Sequence, residues 1–342
     1  MSKNSVEQLV KRWQFWLGVT VSVVFVIVAV RGLKLELVWD YLRTANYAWL
    51  IPGIIIYFFA VWARTWRWHY LLNPIKVIPL RRLFPVVAIG YMGNNIYPIR
   101  AGEFIRAYVL KRGEDVPMSA SLATIFIERI FDGLVMLLFV FVALPFTPIP
   151  PAFRQLVVLF SVLFFFALGF FMAVAANPLR ARRFYDFFVN RFLPASWQDR
   201  MGGLFDRFLS GLGALRSPRD MLMVFVTSIV IWLAETVKYW FVMHAFDFSV
   251  SFMVLMLMNG IVNLATTLPA APGYIGTFDL PGIAGLKAFG VSPEVAVGYT
   301  LVLHAALWLP ITLVGAYFMW REQLSWRDLG RATAPRQELE PL

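Results

Sequence analysis

Cysteine is absent from all 342 residues, which excludes disulfides, thiol nucleophiles and cysteine metal ligands together. Histidine occurs only as His69, His244 and His304, too far apart in sequence to form a metal-ligand spacing. Charge is scarce: Asp, Glu, Lys and Arg make up 15% of the chain against 60% hydrophobic residues, whereas a soluble domain carries about 25% charged residues. Alternating runs of about ten residues, the mark of a membrane β-barrel, are missing too. What the chain does have is apolar runs that reach or approach the ~20 residues a bilayer-spanning helix needs, and a mean hydropathy of +0.68. The class this predicts is an all-α polytopic membrane protein. The net charge of +11 could suggest nucleic acid, but the basic residues sit in short loops between apolar runs. Orientation by the positive-inside rule and contact with anionic lipid explain them better.

Taken in order, spans are predicted at about 13–31, 48–69, 118–144, 153–176, 221–245 and 294–320. The first lacks a small-residue cleavage site and reads as a retained span rather than a signal peptide. Residues 32–46 are amphipathic and suit the membrane interface. The cluster Trp62, Arg64, Trp66, Arg67 and Trp68 suits a headgroup belt at the end of the second span. Residues 177–220 interleave arginines with aromatics, as amphipathic helices lying on an anionic leaflet do. A single membrane domain over 1–330 is expected, with a disordered tail at 331–342.

Two further apolar runs, 83–97 and 252–268, are too short to cross comfortably and end in prolines. If both crossed, the arginine-rich 177–220 section would fall outside the cell, against the positive-inside rule. If each enters and turns back, every basic cluster except Lys34 and Arg43 faces the cytoplasm, as do both termini. The expectation is therefore six full spans plus two re-entrant elements in the cell inner (plasma) membrane. The two elements also share a proline-to-glycine spacing, Pro98 to Gly102 and Pro269 to Gly273. The first would enter from inside and the second from outside, which makes 83–144 and 252–320 candidate inverted repeats. Such repeats, with broken helices meeting near the midplane, are a transporter architecture.

The polar residues within these apolar segments are the candidate site. Arg100, Glu103 and Arg106 open a short helix after Pro98, just beyond Asn94, Asn95 and Tyr97. Arginine's planar fork suits a phosphate; alternatively both arginines anchor the cytoplasmic face, paired with Glu103. Glu128 and Asp132 share a helix face, with Arg129 about 100° round. They could hold a cationic or zwitterionic headgroup, carry a proton, or form a structural pair between Arg129 and Glu103 or Asp132. Glu235 and Lys238, three residues apart, could neutralise each other inside the bundle. Pro272, Gly273, Tyr274, Gly276 and Thr277 form an irregular stretch whose backbone could meet a headgroup. His304 is either a packed histidine or a proton carrier.

Three ordered motifs carry a resemblance: N-x-x-Y-P-x-R-x-G-E-x-x-R from Asn94, E-R-x-x-D from Glu128, and P-x-x-P-G-x-x-G-T-x-D from Pro269. Together they resemble the lysylphosphatidylglycerol synthase transmembrane region, or flippase-like domain, the membrane half of the multiple peptide resistance factors. The resemblance covers roughly 13–320. It implies translocation of a phosphate-containing lipid between leaflets, a phospholipid or a polyprenyl phosphate. Fused members of that family carry a soluble aminoacyl-transferring domain after the spans, and this chain ends at Leu342. The expectation is thus a stand-alone translocase, not an enzyme, with no cofactor, no metal, no nucleic-acid partner, and room for a homo-oligomer. The competing readings are an integral-membrane enzyme acting on a lipid or polyprenyl phosphate and an accessory subunit of a membrane glycosyltransferase. The enzyme would need a set such as D-x-x-x-D, to which Glu103, Glu128 and Asp132 are the nearest approach.

The re-entrant arrangement has a direct test. A cysteine placed at Gly113 should react with an impermeant maleimide only from the cytoplasm, and one at Lys287 only from outside. Labelling of both from one side contradicts the inverted arrangement.

Overall fold

The computed structural model describes residues 34–97, 100–143, 146–147, 178–192, 217–266 and 272–332, with isolated positions within 20–27 and 155–169. The spans expected at 13–31 and 153–176, most of 193–220, Pro98, Ile99, Pro269 and the tail beyond 332 lie outside the described residues.

The protein is an all-α polytopic membrane protein. Its described helices are α1 (Leu35–Thr44), α2 (Leu50–Leu72), α3 (Leu80–Ile96), α4 (Gly102–Glu114), α5 (Met118–Ala143), α6 (Pro178–Phe192), α7 (Pro218–Met243), α8 (Phe252–Ala265), α9 (Asp279–Ala288), α10 (Pro293–Arg321) and α11 (Trp326–Ala332). The stretches Tyr47–Leu72, Arg219–Met243 and Pro293–Arg321 are long and apolar enough to cross a membrane. α5 is equally long at 26 residues, but it carries Glu128, Arg129 and Asp132 through its middle. Local signals set several helix starts. The Ser217 and Ser251 hydroxyls accept from the N–H groups of Asp220 and Val254, which satisfies a free donor at the head of α7 and of α8. α1 is amphipathic, as expected, with Val38 its buried residue. Beyond Gly330, where disorder was expected, α11 continues to Ala332.

Each short apolar run is followed by a helix that folds back on it. α4 packs on α3, and α9 packs on α8. α9 had no sequence signal, because Pro281, Gly282 and Gly285 weaken its ten residues as a helix. Burial of Ile283 and Leu286 against α8 and α10 holds it instead.

The helices fall into two sets with matching neighbours: α2, α3, α4, α5 and α7, α8, α9, α10. α2 lies along α7. α3 packs on α10 of the other set, and α8 packs on α5 of the first. Two large apolar cores and two smaller ones result among the described residues. Of the large ones, one joins α2, α3, α4 and α10 through residues such as Trp68, Ile89, Ile105 and Ile311. The other joins α7, α8, α9 and α10 through residues such as Tyr239, Leu255, Leu286 and Tyr299.

The α3–α4 hairpin depends on contact without side chains. A Cβ on Gly102 would stand 1.9 Å from the Gly90 carbonyl oxygen, and the Gly102 N–H donates to Asn94 Oδ1 at 2.9 Å. Gly102→Ala must therefore part the two helices, at a cost of roughly 1–3 kcal/mol for forced overpacking. Thermal unfolding in detergent should show a clearly lowered Tm. Gly113→Ala, with nothing within 4 Å of the new methyl, serves as the control. Equal Tm values for the two would show that this approach does not hold the hairpin.

Candidate functional site

α2 delivers the first side chains. Arg64 and Arg67 are three residues apart, with Trp68 one further, and all three are buried. This corrects the headgroup-belt expectation for that cluster. α2 continues to Leu72, so Arg64 lies well inside the helix rather than at its end. On the less buried face, Trp62, Trp66 and Tyr70 form a row of ring contacts at four-residue spacing.

Arg64 and residues from α3, α4, α5, α7, α8 and α10 surround a cavity of about 350 Å³, and Arg67 lies behind it. Its wall brings together Asn94, Asn95, Arg100, Glu103, Arg106, Arg129, Asp132, Glu235, Gly273, Tyr274 and His304 of the sequence candidates. It adds Tyr57, Tyr91, Trp232, Asn263 and Trp308, which the sequence did not single out, and Arg64, which it assigned to a headgroup belt. Glu128 and Lys238 stand behind the wall as ion-pair partners of residues on it. Pro272, Gly276 and Thr277 belong to the turn that carries Gly273 and Tyr274, and Tyr97 packs against the α2–α3 core. Arg64 and Arg67 were findable, since two ionisable groups at i, i+3 inside an apolar run mark a functional interior. Trp232 and Trp308 carried no such signal.

A chain of ion pairs runs through the wall. Arg106 makes two hydrogen bonds to Glu128, at 2.8 and 2.9 Å, and its guanidinium lies 3.5 Å from the centre of the Trp68 ring. Arg67 pairs with Asp132 and also donates to Ser228 at 2.9 Å, while Trp232 Nε1 donates to the same carboxylate at 2.9 Å. Glu235 is shared by Arg64, whose Nη1 is 2.7 Å away, and by Lys238. The Arg64 contact is close but not aligned as a hydrogen bond, because that nitrogen has no hydrogen-bond partner. Lys238 is also enclosed by the rings of Tyr57 and Tyr239, at 4.9 and 5.2 Å.

The remaining cations are held more loosely. Arg100 pairs with Glu103 at 3.0 Å, and its guanidinium stands 6.0 Å from the centre of the Tyr274 ring. Arg129 reaches Asp132 at 3.3 Å and Glu103 at 3.6 Å, and its Nε makes no hydrogen bond. Their side chains keep 22% and 34% of their surface accessible, against 7% for Arg106. Of the alternatives read from sequence, Arg129 thus pairs with both Glu103 and Asp132, and Arg106 pairs with Glu128 rather than Glu103. Glu128 and Asp132 take separate arginines. On the far side, His304 bridges Asp279 Oδ1 and the Gly273 carbonyl, each at 2.7 Å. Asn95 donates to the Trp308 carbonyl at 3.2 Å and to the Thr312 hydroxyl at 2.8 Å, and so ties α3 to α10.

Outside the Asp279–His304 pair, six cations (Arg64, Arg67, Arg100, Arg106, Arg129 and Lys238) meet four carboxylates (Glu103, Glu128, Asp132 and Glu235) on or just behind the wall. The cavity carries an excess of positive charge in an apolar bundle, and such a site attracts an anion.

An all-α membrane protein with a buried, cationic cavity between two helical hairpins is the class that this architecture defines. Within that class, the chain belongs to the lysylphosphatidylglycerol synthase TM region family, whose model matches residues 15–315. A UPF0104 membrane protein of Methanothermobacter thermautotrophicus is 27% identical over 286 residues, which are 79% of this chain and 83% of that protein. Another, from Methanocaldococcus jannaschii, is 21% identical over 306 residues, or 86% of this chain and 91% of its own. The glycosyltransferase AglD of Haloferax volcanii is 26% identical over 266 residues, 67% of this chain but only 41% of that protein.

Two substitutions separate anchoring pairs from exchangeable ones. Glu128→Gln leaves Arg106 buried without a counter-ion, which costs roughly 3–5 kcal/mol. Arg100→Ala removes a partly exposed pair and should cost about 1 kcal/mol or less. Chemical or thermal unfolding of both variants checks the order, and equal losses would remove the distinction.

Proposed function

We propose that the protein is a membrane lipid translocase, a flippase or scramblase that moves a phosphate-containing lipid between leaflets. The observation that carries this reading is the cavity, on or just behind whose wall six cations meet four carboxylates beside two broken helical hairpins. An anionic phosphate balances the excess, and the acyl or prenyl tails stay in the bilayer outside the polar wall. Arg100 and Arg129 are the phosphate ligands in this reading, because their pairs are open enough to exchange a carboxylate for a phosphate. Arg106 is the anchor behind them, fixed by Glu128. Each wall carboxylate already has a cationic partner, which suits carriage of a headgroup better than acid–base chemistry on it.

The topology belongs to the same proposal: six full spans and two re-entrant hairpins, α3–α4 and α8–α9, in the cell inner membrane with both termini cytoplasmic. The matching neighbours of α2–α5 and α7–α10 support inverted halves, and alternating access by rocking of one half against the other is the corresponding motion. The relation to the glycosyltransferase AglD favours one second reading, an accessory role beside a membrane glycosyltransferase.

A headgroup-resolved flip assay in proteoliposomes tests the proposal, with phosphatidylglycerol and undecaprenyl phosphate as the two probes. Loss of one charge-assisted contact predicts that Arg100→Ala falls to about a tenth of the wild-type rate or below. Arg100→Lys should keep part of it. Wild-type rates in Arg100→Ala would remove that residue's role. No flip of either probe by the wild-type protein overturns the translocase reading in favour of the accessory one.

A further inference from the structure

His304 is held at both ring nitrogens. Nδ1 lies 2.7 Å from Asp279 Oδ1, and Nε2 lies 2.7 Å from the Gly273 carbonyl oxygen. A carbonyl oxygen only accepts, so Nε2 must carry a proton for that contact to attract. The link between Nδ1 and Oδ1 needs a proton as well, whichever of the two atoms holds it. A neutral imidazole beside an ionised carboxylate supplies one proton for these two links. The pair as built therefore holds one proton more than that state, and its charge is zero rather than −1. Without the extra proton, a ring lone pair faces an oxygen in one link or the other, and that link turns repulsive.

The segment held by this pair is a strained turn. Gly273 and Tyr274 both take left-handed backbone angles, with φ of 70° and 60°, and a non-glycine residue there is uncommon. A Cβ on Gly273 would stand 2.7 Å from Trp308 Nε1, so only glycine fits. Asp279 Oδ2 accepts from the Gly276 N–H at 2.8 Å, and the Phe278 ring lies 4.6 Å from the imidazole. The pair thus fastens α9 and α10 to the turn, and the turn forms part of the cavity wall. The charged groups facing the same cavity are Arg64 from α2, Arg100, Glu103 and Arg106 from the first hairpin, Arg129 and Asp132 from α5, and Glu235 from α7. The neutral titratable groups on that wall are Tyr57, Tyr91, Tyr239 and Tyr274, with Asn94, Asn95 and Asn263 among the other polar ones.

From this geometry we infer that the His304–Asp279 pair is a proton-binding site linked to the headgroup cavity. A proton closes the Gly273–Tyr274 turn and raises the charge of the cavity by one, so a proton and an anionic phosphate headgroup bind together. Linkage makes the effect reciprocal: a bound phosphate strengthens proton binding by the same factor. A headgroup that enters on one side with a proton releases it on the other, which couples lipid movement to a proton gradient. The identity of the ligand rests on the translocase reading, whereas the proton site does not.

Imidazole 15N NMR of the full chain in phosphatidylcholine nanodiscs tests the site directly, since only three histidines need assignment. At neutral pH the wild-type His304 should show either an imidazolium or a neutral ring protonated on Nε2 with Nδ1 hydrogen-bonded to a protonated Asp279. A ring protonated on Nδ1 alone, with Nε2 bare, overturns the proposal. Adding dihexanoyl phosphatidylglycerol should raise the His304 titration midpoint by about one pH unit, the size of a 1.4 kcal/mol linkage. The same shift with inorganic phosphate would keep the linkage and identify phosphate alone as the ligand. An unmoved midpoint, in protein that flips phosphatidylglycerol, overturns the linkage and leaves translocation standing. In flip assays the wild-type rate should fall across that midpoint, approaching about tenfold per pH unit on its alkaline side, and His304→Gln should flatten the profile. An unchanged profile in His304→Gln also overturns the linkage. Absence of flip in every protein defeats the translocase reading, and the NMR state of His304 then decides the proton site by itself.

Discussion

A charge inside an apolar helix bundle needs a counter-charge within reach, because the cost of leaving it bare exceeds the worth of most other contacts. Much of this structure follows from that constraint. Arg67 of α2 can stay buried only if Asp132 of α5 lies beside it, and Arg106 of α4 only beside Glu128 of α5. Arg64 of α2 depends in the same way on Glu235 of α7. Three pairs thus fix the register of α2 on α5, of α4 on α5 and of α2 on α7. The apolar cores on either side pack these helices together, and the ion pairs add a charge match that only this register satisfies.

The pairs are not equally tight, and their gradation has a direction. Arg67 and Arg106 are enclosed and held by two contacts or more. Arg64 is close to Glu235 but poorly aligned, and Arg129 divides itself between Glu103 and Asp132. Arg100 pairs with Glu103 three residues on and, among the described residues, touches the opposite hairpin through Tyr274 and a 3.5 Å contact to the Thr266 carbonyl. A cation that shares a carboxylate, or meets it at an angle, gives up less when a phosphate replaces it. The looseness on the cavity side is therefore a property a carrier needs, whereas the tight pairs behind it keep the wall in place while partners exchange.

The sequence made part of this visible. Proline followed by glycine after an apolar run too short to cross marked both hairpins, and the burial cost of Glu128, Arg129 and Asp132 marked α5 as part of the site. The i, i+3 spacing of Glu235 and Lys238 announced their pairing correctly. Depth was harder to read. Arg64 and Arg67 have a periodicity that fits a buried face and a headgroup belt alike, and only the continuation of α2 to Leu72 decides between them. Partner choice was harder still. Arg106 and Glu103 have helical spacing for a local pair, yet Arg106 turns onto Trp68 and finds Glu128 from another helix. α9 exists because Ile283 and Leu286 are buried by neighbours, and nothing within its own ten residues calls for a helix.

The two hairpin tips show how such a structure could hold more than one arrangement. Each tip carries a non-glycine residue in the left-handed region, Arg100 with φ of 53° and Tyr274 with φ of 60°. Such residues cost about 1–3 kcal/mol each and persist only where their surroundings over-determine them. Around Tyr274 the surroundings are the His304–Asp279 clasp, and around Arg100 they are the Glu103 pair and the Tyr274 ring itself. Each tip thus helps to hold the other. On the proposed inverted arrangement, one tip comes from each half and the two meet at the cavity, where a headgroup would contact both. Anything that loosens one clasp, whether a phosphate competing for Arg100 or a proton leaving His304, weakens the support of the other tip as well. Strain stored at both tips and released together is the kind of bistable element that the proposed alternation between two states needs.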